Sequence, residues 1–187
     1  MSDQSFENID AGRDIDWGRA SVDYDRFRPG PPESFYQRLL AFGIGLRGQR
    51  ILDLGTGTGL LARRLASQGS IVSGIDYASG QIDMATAAAQ RDGLQIAFRQ
   101  SGAEDLPFED NAFDVVTANQ CWLYFDLKKT IPEVLRVLDA GGLLVVSYFS
   151  FLPRLDRIVR ASESLVLKHN PDWSGADWDG TLPGLCS

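Results

Sequence analysis

Metal-binding side chains are scarce in this 187-residue chain, which has one histidine, His169, and two cysteines, Cys121 and Cys186. The two cysteines lie far apart and lack the short spacing at which zinc ligands recur. A single histidine cannot form a metal site by itself. The sequence therefore predicts no metal centre, and it favours a reducing compartment.

The chain also lacks long apolar runs and an excess of basic charge. No apolar run approaches the length of about 18 residues that a membrane-spanning helix needs. Residues 1–16 do not resemble an export signal, because they lack a cationic start and an apolar core. The 18 Lys and Arg are outnumbered by 25 Asp and Glu, whereas nucleic-acid binding needs a basic face. We expect a cytoplasmic chain with neither a membrane nor a nucleic-acid partner.

Length and composition suit a single domain. A hydrophobic content of 44% is enough for one well-buried core, and the chain is too short for two ordinary domains. Residues 1–16 are predicted to be flexible and residues 17–149 to form the domain. Residues 150–187 are predicted to add a helix from Pro153 and an irregular tail to the same domain.

Strand and helix patterns alternate from residue 49 onward. This alternation predicts an α/β fold, a Rossmann-like doubly wound and mostly parallel sheet with helices on both faces. The predicted strands cover residues 50–54, 71–75, 95–99, 113–118 and 142–149. The predicted helices cover residues 33–42, 59–68, 79–91 and 127–138.

The sequence DLGTGTG, residues 53–59, begins in the last two residues of the first predicted strand and continues into a glycine turn. Glycine lets the backbone turn sharply and approach a ligand, and the amides that open the next helix would face that ligand. The G-x-G-x-G spacing after a carboxylate differs from the G-x-G-x-x-G of dinucleotide folds. The turn predicts a ligand cradle, and an ordinary tight turn is the alternative.

Asp76 ends the second predicted strand, about 20 residues beyond the glycine turn, the distance at which a ribose-binding carboxylate is expected. An ionised carboxylate only accepts hydrogen bonds, which suits two vicinal hydroxyl donors. A cap on the helix at 79–91 is the alternative. Because ligands of such sheets bind beyond the carboxyl ends of strands, one pocket is expected near Asp53, Asp76, Ala103 and Asn119.

Four segments together resemble class I S-adenosylmethionine-dependent methyltransferases that act on small molecules, with a domain of type 11. They are the glycine turn, residues 71–76 (IVSGID), residues 102–116 (GAEDLPFEDNAFDVV) and residues 134–146 (VLRVLDAGGLLVV). The similarity covers roughly residues 24–149. Relatives often carry a carboxylate at the position of Gly102 and a proline at that of Ala140. The resemblance implies S-adenosyl-L-methionine as cofactor and methyl transfer to a small molecule by in-line displacement.

The resemblance also implies which residues contact the cofactor. Ala103 and Glu104 are expected at the adenine, and Gln81 stands where relatives place an apolar adenine cover. Tyr24 and Arg28 are expected near the methionine carboxylate, with packing and a surface charge as the alternatives. The full predicted set is Tyr24, Arg28, Asp53, Gly55, Thr56, Gly57, Asp76, Tyr77, Gln81, Ala103, Glu104 and Asn119.

The methyl acceptor leaves a weaker trace in the sequence. Trp122 and Tyr124 follow the fourth strand and are candidates for an acceptor pocket or for ordinary core positions. Asn119 is followed by Gln120 and Cys121, not by the two prolines of enzymes that methylate bases in nucleic acids. Cys121 is interpreted as a small buried hydrophobe. No catalytic residue is assigned.

Relatives continue into a sixth and a seventh strand, for which residues 150–187 are too few. We therefore expect a sheet that ends at the fifth strand or one short strand later, with an open acceptor side. The exposed edge leaves room for a homodimer. The functional alternative is a non-catalytic cofactor-binding or regulatory protein, and a nicotinamide oxidoreductase is a third, weaker hypothesis.

Overall fold

The computed structural model describes residues 30–173 and residue 177, and the chain divides into two compact units, Met1–Ser147 and Tyr148–Ser187. The described strands of the first unit are β1 (Arg50–Leu54), β2 (Ile71–Asp76), β3 (Ala97–Gln100), β4 (Phe113–Asn119) and β5 (Leu138–Ser147). Its described helices are α1 (Glu33–Ala41), α2 (Leu60–Ser67), α3 (Ser79–Arg91) and α4 (Leu127–Val137). A short 3-10 helix, Trp122–Tyr124, precedes α4.

All five strands are parallel and lie in the order β3-β2-β1-β4-β5. This arrangement confirms the predicted Rossmann-like doubly wound sheet. The chain runs outward from β1 to β3 on one side and then crosses over to β4 on the other. The carboxyl ends of β1, β2 and β4 therefore meet at one edge, where such sheets bind their ligands.

Strand β1 lies at the centre of the sheet because its side chains are apolar on both faces. Ile51 belongs to one core cluster and Leu52 and Leu54 to the other, as the alternation of side chains along a strand requires. All three are fully buried. Helix α2 covers the Ile51 face with Leu65, which is also fully buried. The core thus fixes β1 and α2, the strand and the helix that flank the glycine turn.

Strand β5 begins earlier than predicted. The sequence places a turn at Gly141 and Gly142 and starts the strand at residue 142, but the structure ends α4 at Val137 and starts β5 at Leu138. Leu138 already has extended backbone, with φ −73° and ψ 136°. Gly141, with φ 81°, lies inside the strand where its register with β4 is irregular. The glycines therefore bend the strand instead of preceding it.

In the second unit, helix α5 spans Arg157–His169 and starts later than the predicted Pro153. Asp156 caps it, because its carboxylate accepts hydrogen bonds from the N–H groups of Ile158 at 2.7 Å and Val159 at 3.2 Å. Residues 148–173 form no strand, and the expected end of the sheet at the fifth strand stays a prediction. No helix in the described part of the chain is long and apolar enough to cross a membrane. The predicted domain boundaries stay predictions.

Shortening a core side chain should destabilise the first unit much more than the same change on the surface. Leu65→Ala leaves a cavity in the fully buried core and should lower the free energy of unfolding by about 2–5 kcal/mol. The matched control, Leu135→Ala on α4, removes a side chain that is 68% exposed and should change it by less than about 0.5 kcal/mol. Urea denaturation measures both. Equal losses would contradict this description of the core.

Candidate functional site

A cavity of about 400 Å³ opens at the carboxyl ends of the strands. Its volume lies within the range of small-molecule sites, roughly 300–1,000 Å³. Segments that follow β1, β2, β3 and β4 all contribute to the lining, as the strand-end rule predicts. The predicted residues found in the lining are Gly55, Gly57, Asp76, Tyr77, Gln81, Ala103, Glu104, Asn119 and Tyr124.

Three predicted residues do not line this cavity. Asp53 and Thr56 are buried behind it, with 2% and 8% of their surface exposed. Trp122 is also buried and packs edge-on against Phe125 in the core, with ring centroids 6.0 Å apart. The core alternative is therefore correct for Trp122, because the 3-10 helix turns its indole inward. Tyr24 and Arg28 lie outside the described residues.

Two glycines of the turn are required for different reasons. Gly55 and Gly57 both have positive φ, 54° and 56°, a backbone conformation that other residues rarely adopt. A Cβ on Gly55 would lie 2.8 Å from the Cβ of Cys121, so close packing excludes a side chain there. A Cβ on Gly57 would meet nothing closer than the Oε1 of Gln81 at 4.0 Å. Gly57 thus leaves room on the cavity side of the turn.

Asp76 holds the glycine turn from the neighbouring strand. Its carboxylate accepts hydrogen bonds from the backbone N–H of Gly57 and of Ala78, both at 3.0 Å. Ala78 is the N-cap residue of α3, and no side chain caps that helix end. The helix-cap alternative is therefore not what the structure shows. Burial raises the pKa of Asp76, and the backbone N–H groups oppose that rise.

Asp53 is bound by two hydroxyl groups in the interior. Thr56 donates a hydrogen bond to its Oδ2 and Thr117 donates one to its Oδ1, both at 2.7 Å. Burial raises the pKa of Asp53 to about 6, and the two hydroxyl donors oppose that rise. Asp53 thus supports the residues of the turn from behind the cavity.

Glu104 occupies the space that Gly102 leaves open. Its Oε1 accepts a hydrogen bond from the N–H of Asp126 at 3.0 Å, just before α4. A Cβ on Gly102 would lie 2.9 Å from the Oε2 of Glu104. Relatives often carry a carboxylate at position 102. In this chain the position is a glycine, and the carboxylate of Glu104 lies beside it.

Sequence reasoning missed several lining residues, among them Ser101, Gln120 and Phe125. Ser101 directly follows β3, so the strand-end rule could have identified it. Cys121 was interpreted as a buried hydrophobe, and it packs against the core but also lines the cavity. Its Sγ donates to the carbonyl of Leu54 at 3.1 Å, and burial raises the pKa of the thiol well above its usual value.

Comparison with known proteins agrees with this fold. The family model for the methyltransferase domain matches residues 52–146. This range contains the glycine turn, the carboxyl ends of β1 to β4, and all of β5 except its last residue. The resemblance to class I S-adenosylmethionine-dependent methyltransferases is confirmed, and the chain belongs to the methyltransferase domain family.

Individual relatives match over part of their length. A demethylmenaquinone methyltransferase of Thermus thermophilus is 39% identical over a match of 140 residues, and the match covers 66% of this chain and 64% of that protein. An uncharacterized methyltransferase of Mycobacterium tuberculosis is 37% identical over 131 residues, 70% of this chain and 50% of that protein. The chain thus spans about half to two thirds of the length of these relatives.

A solved structure extends the comparison to the cofactor. Phosphoethanolamine N-methyltransferase 2 of Haemonchus contortus is similar with a TM-score of 0.61 and 27% identity. The match covers 69% of this chain and 32% of that one. That protein was solved in complex with phosphomonomethylethanolamine and S-adenosylhomocysteine.

Replacing Asp53 should change how stability depends on pH. Burial raises the pKa of Asp53 from 3.8 to about 6 in the folded protein. The protonated carboxyl group therefore favours the folded state at low pH. This contribution to stability is fully present below pH 3.8 and is lost as the pH rises through 6. Asp53→Asn has no carboxyl group to ionise at this position, so its stability does not fall in this way as the pH rises. Relative to the unaltered chain, its free energy of unfolding should rise by about 2 kcal/mol between about pH 4.5 and about pH 7.5.

Urea denaturation across that range measures the difference, with Asp83→Asn on the surface of α3 as the matched control. A pH-independent difference between Asp53→Asn and the unaltered chain would contradict the raised pKa of Asp53.

Proposed function

We propose that this chain binds S-adenosyl-L-methionine in the strand-end cavity and transfers its methyl group to a small molecule. The observation that carries the proposal is the pairing of Gly57 with Asp76 at the cavity wall. Gly57 leaves open space where any other residue would project a side chain, and Asp76 presents a carboxylate beside it. The residues present therefore fit an adenosine-containing cofactor.

Different lining residues are proposed to contact different parts of the cofactor. The two oxygens of Asp76 accept backbone hydrogen bonds, among them those from Gly57 and Ala78, and keep acceptor capacity, which suits the ribose hydroxyls. Gly55 and Gly57 are the proposed cradle, and Ala103 and Glu104, which also line the cavity, are the proposed adenine contacts. Tyr77, Gln81 and Asn119 complete the proposed contacts, and Tyr24 and Arg28 stay predictions.

The charge of the cavity suits a positively charged cofactor. Asp76 and Glu104 both line it, and among the described residues they are bonded by backbone N–H groups and by no cationic side chain. A sulfonium carries a positive charge, which two nearby carboxylates stabilise by Coulomb attraction. The G-x-G-x-G spacing of the turn differs from the G-x-G-x-x-G of dinucleotide folds, which disfavours the nicotinamide oxidoreductase hypothesis.

The chemistry asks little of individual side chains. The cofactor, when bound, supplies a methyl group on a sulfonium as the electrophile. The chain has to align the acceptor with that methyl group and keep water away, which is a matter of position. Tyr124 and Phe125 contribute aromatic surface to the cavity, and Tyr124 is 46% exposed at its wall. We propose Tyr124 as the acceptor-side residue and assign no catalytic base.

A small-molecule acceptor is favoured by the relatives and by charge. One relative is named for demethylmenaquinone, and the similar Haemonchus enzyme was solved with phosphomonomethylethanolamine. With a net charge of −7, this chain is a poor partner for nucleic acid. The cytoplasmic location and the homodimer stay predictions.

The alternative is a protein that binds the cofactor without turnover. The two lining carboxylates accept hydrogen bonds from backbone N–H groups, and no lining residue is assigned as a catalytic base. A panel of phenol, quinol and amine acceptors with methyl-labelled cofactor separates the two functions. Tight cofactor binding without label transfer to any of them would support the non-catalytic alternative.

Removing the Asp76 carboxylate should weaken cofactor binding. Asp76→Ala should reduce the affinity for S-adenosylhomocysteine by roughly 1.5–3 kcal/mol, the usual range for hydrogen bonds to a charged group. Titration calorimetry measures the affinity, and Asp83→Ala is the matched control because its side chain is exposed on α3, away from the cavity. Circular dichroism checks that both variants fold. Unchanged affinity in folded Asp76→Ala would remove the ribose assignment.

A further inference from the structure

Behind the cavity lies a buried hydroxyl–carboxylate cluster, formed by Asp53, Thr56 and Thr117. We infer that Thr117 is a positioning residue, which holds the glycine turn in its cofactor-binding conformation by acting through Asp53. This inference rests on the proposed function, because it assigns a further residue to the same site. Neither Thr117 nor Asp53 lines the cavity.

Thr117 is placed beside Asp53 by the sheet itself. The two residues are register partners in the parallel pair of β1 and β4. Only 1% of Thr117 and 2% of Asp53 is exposed, so water is not available to replace the hydrogen bond between them. The neighbours Val116 and Ala118 are apolar core residues. A valine at position 117 would fill the same volume in this strand, and the hydroxyl is therefore the feature that needs an explanation.

From Asp53 the cluster continues into the glycine turn. The hydroxyl of Thr56 donates to Asp53, and the backbone N–H of Thr56 donates to the carbonyl of Ile75 at 2.8 Å. The next residue, Gly57, donates its N–H to Asp76 at 3.0 Å. Thr56 is thus tied to β1 by its side chain and to β2 by its backbone, directly before the residue that opens the cavity.

Gly74 on β2 makes this arrangement possible. A Cβ at that position would lie 2.9 Å from the Oγ1 of Thr56 and 2.8 Å from the ring of Phe98. A side chain on residue 74 would therefore displace the Thr56 hydroxyl from Asp53. The same strand that ends in Asp76 leaves space for the cluster two residues earlier.

The two hydroxyl donors are what makes a buried carboxylate tolerable here. Charge-assisted hydrogen bonds are about twice as strong as neutral ones. In the part of the chain that the structure describes, the titratable groups that interact with Asp53 are Asp76, Tyr36 and Cys121, and none of these three is a cation. Removing the Thr117 hydroxyl should raise the pKa of Asp53 further. A protonated Asp53 is neutral, so the hydrogen bond from Thr56 is no longer charge-assisted; it weakens and the turn loosens.

The test compares isosteric threonine replacements in the full chain. Thr117→Val removes one hydroxyl at constant volume, and Thr117→Ser restores a hydroxyl. The matched control is Thr130→Val on α4, because Thr130 is equally buried and its Oγ1 has no hydrogen-bond partner among the described residues. Two quantities are measured: amide hydrogen exchange of Thr56 and Gly57 in the ligand-free protein, and the Kd of S-adenosylhomocysteine by calorimetry at several pH values.

Thr117→Val should speed the exchange of both amides and weaken cofactor binding by about tenfold, which corresponds to about 1.4 kcal/mol. The loss of affinity should grow as the pH falls towards 6, since the pKa of Asp53 is higher in the variant. Thr117→Ser should approach the unaltered protein, and Thr130→Val should match it in both measurements.

Unchanged exchange and unchanged affinity in Thr117→Val would overturn the positioning role alone. Failure of the unaltered protein to bind S-adenosylhomocysteine would overturn the proposed function instead. If Thr117→Val does not fold, Asp53→Asn tests the same cluster, because it keeps the volume and removes one acceptor oxygen. Normal exchange and affinity in that variant would also overturn the inference.

Discussion

The parallel pairing of β1 with both β2 and β4 is the constraint on which the site depends. It brings the carboxyl ends of three strands together, so that the glycine turn, Asp76 and Asn119 face one cavity. Apolar burial on both faces of β1 favours this central position for that strand. The binding surface is thus built by the core beneath it, and the loops need little stability of their own.

Two carboxylates at this edge are kept in place by different donors. Asp76 is held by backbone N–H groups and remains at the cavity wall, whereas Asp53 is held by hydroxyl groups and is buried. Backbone donors are present in any sequence, but the hydroxyl donors depend on Thr56 and Thr117. The proposed support of the glycine turn therefore involves side chains that do not line the cavity.

Much of the fold and part of the site could be predicted from the sequence. The alternation of strands and helices follows from local apolar patterns, and the glycine turn and Asp76 are separated by a spacing with a physical meaning. Gly102 was recognised as a departure from relatives, but the close approach of the Glu104 carboxylate to residue 102 needs a three-dimensional backbone. Trp122 was ambiguous because a three-residue helix shows no periodicity.

Thr117 could not be recognised from its own segment, since a threonine in a buried strand resembles the β-branched residues around it. Its role depends on register with a strand 64 residues earlier in the chain. Likewise, the start of β5 at Leu138 was missed because glycines usually mark turns, and here Gly141 bends a strand. Long-range pairing and local backbone irregularity are what the sequence does not display.

The most direct test of the central claim is a crystal structure of this chain with S-adenosylhomocysteine. The account predicts the ligand in the strand-end cavity, against Gly57, with a ribose hydroxyl at about 2.6–3.2 Å from a carboxylate oxygen of Asp76. It also predicts that Asp53 keeps its bonds to Thr56 and Thr117. A ligand bound elsewhere, or bound in this cavity without contact to Asp76, would contradict the account.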